Sequence, residues 1–363
     1  IGLSQRVGQG TLSVQSKRWG VDSSFNIPDG ASMAASAQSL TTTLQGLGAP
    51  SDWNNTRGFG HSESALALQG IAELSFSQSR TVDVNQQVGN RDFGLTWTNL
   101  MEAVWLGKAG DAFQGSWKSR TGTAVRQDAG LPDAGVELRN LDLSQRLGNG
   151  ASLSFQDKWW KVDPTLDLPN WGATQPAMQS LVADLQGVGA PADKWDQVRG
   201  LEHGEKTIAL RASPMLALTR IYTLDRNRIS GDREFGLNRN THRDVLSLNS
   251  RDGALQATLG HTTGMLTWDD PGRSATRLDT QDVNVTQQLG GKGSLGFSQS
   301  VKTDTDVETL QSLRVRTSDY GLANLPLVQG IGLGLSGSLR ITEPSQGAGT
   351  SKMTLRTAGQ GIR

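Results

Sequence analysis

The chain repeats itself, and the length of the repeat limits what it can fold into. NLDLSQRLGNGASLSFQDKWWKVD (Asn140 to Asp163) has a counterpart in LSQRVGQGTLSVQSKRWGVD (Leu3 to Asp22) and another in VNVTQQLGGKGSLGFSQSV (Val283 to Val301). Leu143, Leu147 and Leu153 recur as Val285, Leu289 and Leu295, an offset of 142 (285 − 143 = 142). Trp19 precedes Trp160, QSLTTTLQGLGAPSDW (Gln38 to Trp53) precedes QSLVADLQGVGAPADKW (Gln179 to Trp195), and RDFGL (Arg91 to Leu95) precedes REFGL (Arg233 to Leu237). A period this long is too great for a small solenoid repeat, so each unit must hold several elements. The expected organisation is one sheet domain over 1–363, made of units 1–140 and 141–282 and a partial third, 283–363.

Period-2 alternation gives about six strands per unit. In the second unit they fall near 136–147, 151–160, 206–212, 215–225, 244–249 and 254–263. Leu147-Gly-Asn-Gly150, Ala212-Ser-Pro-Met215 and Ser250-Arg-Asp-Gly253 are short enough to be hairpin turns. The connections between them are longer, so short turns lie on one side of a meander and long loops on the other. The longest loop carries a helical face, Met178, Leu181, Val182, Leu185 and Val188, ended by Gly189-Ala-Pro191. The third unit lacks that insert and has only KTDTDVE after Val301, so the helix reads as decoration on the sheet. The fold class is all-β: an antiparallel up-and-down meander of about 16–18 strands, expected to close as a β-barrel, with short helices in two long loops.

Composition fits this reading. Hydrophobic residues are only 35% and Gly numbers 44, which suits strands and turns better than a helical core. Lys plus Arg and Asp plus Glu balance at 35 each, against the basic face that nucleic acid requires. There is no Cys, and no apolar run is long enough for a membrane-spanning helix. The opening residues already read as a strand, so a mature protein or a section of a longer one is expected. The strand Ile331 to Ile341 sets Ile331, Leu333, Leu335, Leu339 and Ile341 on one face, and Gly332, Gly334, Ser336, Ser338 and Arg340 on the other. That dyad pattern has the length of a membrane β-strand. Asp157 interrupts the corresponding face of Leu153, Phe155 and Trp159, and the aromatic residues near strand ends are Trp (10 in the chain), with only 2 Tyr.

In its meander, strand lengths, short-turn and long-loop sides and lack of Cys, the chain resembles the outer-membrane β-barrels of Gram-negative bacteria. The resemblance covers the whole chain at the level of architecture. It implies a bacterial outer-membrane location, membrane lipid as partner and a structural or passive pore role, alone or as part of a larger barrel. A second reading stays open: a non-membrane repeat protein of the cell surface or exterior that assembles into a lattice or fibre. Envelope proteins, or further copies meeting through sheet edges and long loops, are the expected protein partners in either case.

No enzyme is expected, and no catalytic residue, metal or cofactor is assigned. His61 and His203 occupy one repeated position, in GFGHSE and GLEHGE just before a strand, and neither has a second His at metal-ligand spacing. A loop or strand-edge role is favoured over acid–base pairing with Glu63 or Glu205. Gln5, Gln145 and Gln287 recur at one place on one strand, either as a polar row lining a lumen or groove or as a hydrogen-bonding position near a turn. The glycine clusters at Gly8, Gly148 and Gly290 lie between strands, so they are read as turns and not phosphate loops. Asp304 and Asp306 lack the other ligands of a Ca²⁺ loop, and Asn54 and Asn284 match a glycosylation pattern without consequence here.

Overall fold

The structure is a computed structural model. It describes the chain apart from residues 25–34, 48, 50–57, 72, 88–89, 109, 128–132, 167–175, 191–197, 230–231, 290–292, 329–330, 346–349 and 362–363. The described residues form an antiparallel meander of seventeen strands with two helices. They divide into two compact units, Ile1–Leu143 with Asp157–His203 and Ser144–Gln156 with Gly204–Arg363.

The first unit contains β1 (Gly2–Val7), β2 (Gly10–Gly20), α1 (Ala35–Gly46), β3 (Gly60–Ile71), β4 (Leu74–Gln87), β5 (Asn90–Leu106) and β6 (Phe113–Arg126). It also takes most of β7 (Ala134–Gly148), the end of β8 (Ala151–Val162), and α2 (Pro176–Gly187). Each strand from β1 to β6 pairs antiparallel with the next. The second unit runs through β9 (Glu202–Ser213), β10 (Leu216–Ile229), β11 (Asp232–Asn249), β12 (Leu255–Trp268), β13 (Thr276–Leu289), β14 (Gly293–Asp306), β15 (Ser312–Val328), β16 (Ile331–Pro344) and β17 (Thr350–Gly361). Its pairing is sequential and antiparallel from β10 to β17.

The short turns follow from backbone chemistry. Gly148, Asn149 and Gly150 have φ of 87°, 50° and 78°, a left-handed run that glycine and asparagine adopt at least cost. Both helices end in the same way. Ala49 N–H donates to Leu44 O at 2.9 Å and Ala190 N–H to Leu185 O at 3.0 Å, closing the last turn of each. The ends of each long loop are clamped alike: Val21 and Phe59 exchange a backbone bond of 2.9 Å, and Val162 and Leu201 one of 3.0 Å.

Three expectations change. The connection expected over 226–243 is largely strand, because β10 runs to Ile229 and β11 begins at Asp232. The alternation was lost at a bulge between Arg226 and Arg228, matched in the first repeat between Val84 and Gln86. There one residue of β10, Asn227, stands against four of β11, an odd excess that reverses which side chain faces which way, so a period-2 reading stops. KTDTD is not a loop either; β14 continues through Asp306. Nor is the helix in the second long loop decoration. Leu181, Leu185 and Val188 are buried with Trp97, Val136, Leu138, Trp160 and Val162 in the larger of the two apolar clusters among the described residues.

Candidate functional site

Residues directly opposite one another in an antiparallel pair share a face, so the registers sort every strand into two sides. In the second unit one continuous row is Leu218, Leu246, Leu259, Val283, Gln299, Ser318 and Leu339. The next residue along each strand gives the opposite face: Thr219, Val245, Gly260, Asp282, Ser300, Thr317 and Arg340. The larger apolar side chains are the exposed ones. Leu218 keeps 47% of its surface open, Leu259 43% and Leu295 47%. The opposite face carries small and charged residues, with Arg239 at 3.9 Å from Asp225 and Arg243 at 3.9 Å from Asp282.

Two rows beyond Leu216, the apolar side meets a polar interruption that is internally satisfied. Arg220 grips Asp244 in a bidentate pair, Nε to Oδ1 at 2.7 Å and Nη2 to Oδ2 at 3.0 Å. In the next row Tyr222 stacks on His242, with ring centroids 4.8 Å apart and an interplanar angle of 9°. Asp157, the charge that interrupts the face of Leu153, lies 3.8 Å from Arg139, whose guanidinium also sits over the Trp159 ring.

In the first unit the face opposite the exposed leucines holds Trp19, His61, Asp83, Trp97 and Ala124 in one register row. It is covered where α2 packs. Asp184 of α2, between buried Leu181 and Leu185, accepts hydrogen bonds from Lys118 and from Arg120 Nη1, the latter at 2.9 Å. Arg120 Nε donates to Asn99 Oδ1 at 2.8 Å. Only 5% of the Arg120 side chain and 9% of Asp184 remain exposed, so α2 is tied to this face by a buried ion pair as well as by apolar contact.

The residues singled out by sequence fall as follows. His61 and His203 are the second residues of β3 and β9, within strands and not before them. Each neighbours the tryptophan of its own repeat, His61 at 5.9 Å from Trp19 and His203 at 6.2 Å from Trp160. The acid beside His61 is Asp83 across the sheet, Nδ1 to Oδ1 at 2.6 Å, while Glu63 faces Lys17 at 3.6 Å. Gln5 stands opposite Leu12, and Gln287 opposite Leu255 and Leu295, on the faces of exposed leucines; Gln145 is exposed near the end of β7. Asp304 Oδ2 is held by Lys302 at 2.8 Å, and Asp306 Oδ1 accepts from the Thr309 N–H at 2.8 Å, so both carboxylates already have partners. Among the described residues no group of three or more His, Cys, Asp or Glu gathers to hold a metal. Gly8 and Gly148 are turn residues with φ of 60° and 87°; Asn54 lies outside the described residues, and Asn284 is inside β13.

Alternation alone could not reveal Arg120 with Asp184, because the two are brought together by a loop folding back over its own sheet. No helix among the described residues is long and apolar enough to cross a membrane, which leaves crossing by strands untouched. What the fold defines is a class: a many-stranded antiparallel meander whose second unit is apolar on one exposed side and carries small and charged residues on the other. Compared with protein-family models and with curated proteins, the chain matches none.

Proposed function

We propose that the chain forms the wall of an outer-membrane β-barrel with a structural or passive pore role, alone or as a section of a larger barrel. The observation that carries this reading is the row of exposed leucines on adjacent paired strands, backed by a polar opposite face. Water penalises a contiguous apolar surface of that kind, whereas hydrocarbon does not. Trp159 and Tyr222 lie on the loop side of the apolar rows, as girdle aromatics do at a membrane–water boundary. From Leu216 to Tyr222 the strand rises six residues, roughly 20 Å, close to the ~25 Å apolar band of such barrels. Arg220 and Asp244 fall within that distance as a closed pair, so the surrounding medium meets a neutral, hydrogen-bonded unit instead of two separate charges. In this barrel the face bearing Arg120 and Asp184 lines the interior, and α2 narrows it.

The same Arg220 row, continued by His261 and Gln281, favours a second reading, an envelope repeat protein whose sheet meets other protein and not lipid. Gel migration and extraction separate the two. A barrel requires detergent to leave the membrane fraction and migrates faster unheated than boiled. A chain that is monodisperse without detergent and shows no heat-dependent shift overturns the barrel reading.

A further inference from the structure

The first repeat differs from the second at the level where the second carries its boundary aromatics. Trp159 of the second repeat corresponds to Arg18 in the first (159 − 18 = 141), and Tyr222 to Arg80 (222 − 80 = 142). Both arginines are exposed and lie on the same face of the first unit. The register places Arg18 opposite Ser62, and Arg80 opposite Ser64 on the same strand. They border an open groove of about 630 Å³ that Ser62, Val82 and Val84 also line. Gly20 and Gly60 leave the sheet bare of side chains at one end of it.

The two guanidiniums of the groove are not ion-paired. Among the described residues neither guanidinium has a carboxylate partner. Glu102, in an adjacent row, accepts a hydrogen bond from Gln78 at 2.7 Å, and Glu63 points with Lys17 to the other side. Two free guanidiniums beside a serine hydroxyl suit a phosphate, since their donors can reach several oxygens at once.

We propose that Arg18 and Arg80, with Ser62 between them, bind the phosphate of an anionic lipid at the membrane boundary. This rests on the barrel reading, which sets the depth of the groove at the lipid headgroups. A basic residue close to an anionic membrane surface strengthens binding about fivefold, so two give roughly twenty-five-fold. The tryptophan and tyrosine of the second repeat supply no such charge, which makes the site a property of the first repeat alone.

The full chain, wild type and Arg18→Gln/Arg80→Gln, is reconstituted into vesicles of mixed phosphatidylcholine and phosphatidylglycerol and floated on a density gradient. Each form is then extracted in detergent, and retention of phosphatidylglycerol against phosphatidylcholine is measured by native mass spectrometry, with and without inorganic phosphate. Both forms should float, and the wild type should retain phosphatidylglycerol about twenty-five-fold more strongly than the double variant. Replacing Arg251, which lies in the hairpin turn between β11 and β12, should leave that preference intact. If both forms float with equal retention, the groove inference fails while the barrel reading stands; if neither floats, both fail. Displacement of the lipid by inorganic phosphate at millimolar concentration would show recognition of free phosphate and overturn the lipid assignment.

Discussion

Asn227 holds the backbone amide of Gly236 through its side-chain oxygen at 2.7 Å, and Asn85 holds that of Gly94 at 3.0 Å, one repeat earlier. Both asparagines are in the left-handed region, with φ of 57° and 59°, and both glycines have φ of 80°. Each pair sits at the bulge that interrupts the β10–β11 or β4–β5 ladder. The bulge frees an amide from the ladder, and the asparagine side chain satisfies it. This gives a physical reason why the glycine of RDFGL recurs in REFGL.

Replacing Asn227 by Ala should therefore destabilise the fold by about 2 kcal/mol. Roughly half comes from placing a Cβ-bearing residue without a local hydrogen bond in the left-handed region, and half from the lost bond. Asn227→Gly removes only the bond and should cost about 1 kcal/mol. Urea unfolding followed by tryptophan fluorescence reads both, and equal midpoints for the two variants would contradict this account.

Asp184 is the residue through which α2 is charged onto the sheet. Asp184→Ala leaves Arg120 buried without its carboxylate, a change that costs about 3 kcal/mol when such a pair is broken from one side. The loss should appear as faster protease cleavage within α2, with the strands still protected. Replacing both partners, as Arg120→Met with Asp184→Leu, removes the unpaired charge and should restore most of the protection. A double variant as labile as Asp184→Ala would mean that the ion pair is not what holds the helix.

The turn between β11 and β12 is sensitive to acid in a defined direction. Asp252 accepts from Ser250 Oγ at 2.5 Å and from the Ala254 N–H at 3.1 Å, and these bonds, the hydroxyl first, hold its carboxyl below the ordinary value of 3.8. A carboxylate depressed in the folded state contributes stability above its unfolded pKa and loses it as pH falls through the folded one. Ser250 Oγ in turn accepts from the Leu255 N–H at 2.8 Å, so protonating Asp252 loosens the start of β12. Hydrogen exchange at Leu255 should accelerate, relative to the intrinsic acid rate, only below pH 3.8, and Asp252→Ala should exchange fast at every pH.

The sheet was legible because its grammar is local. Hairpin turns at Gly8 and Gly148, alternation around Leu216, and the helix-ending Gly189 each declare themselves within a few residues. The six strands of the second unit all stand where alternation put them, most of them longer at one or both ends. Legibility failed where a decision depended on residues far apart. The bulges at Asn85 and Asn227 reverse facing without any change of composition, so strand was read as loop. The packing of α2 joins Asp184 to Arg120 across 64 positions, and no spacing rule connects a helix to the face of a sheet. His61 and His203 were visible as a repeated pair, but their tryptophan neighbours, and Asp83 beside His61, follow from strand register alone.

Leu218 and Thr219 are adjacent in sequence and face opposite ways, which makes them a test of what surrounds the sheet. If the leucine face meets lipid, Leu218→Arg should cost roughly 2–4 kcal/mol and reduce insertion into vesicles. Thr219→Arg, on the polar face with Gly260 and Asp282, should insert normally and change stability by less than about 0.5 kcal/mol. If the leucine face meets water, both substitutions are surface changes and should be equally mild. If it meets a second protein, Leu218→Arg should leave the folded monomer intact and abolish assembly. Measuring vesicle insertion, urea midpoint and sedimentation on the same two variants separates the three environments, because each predicts a different combination of losses.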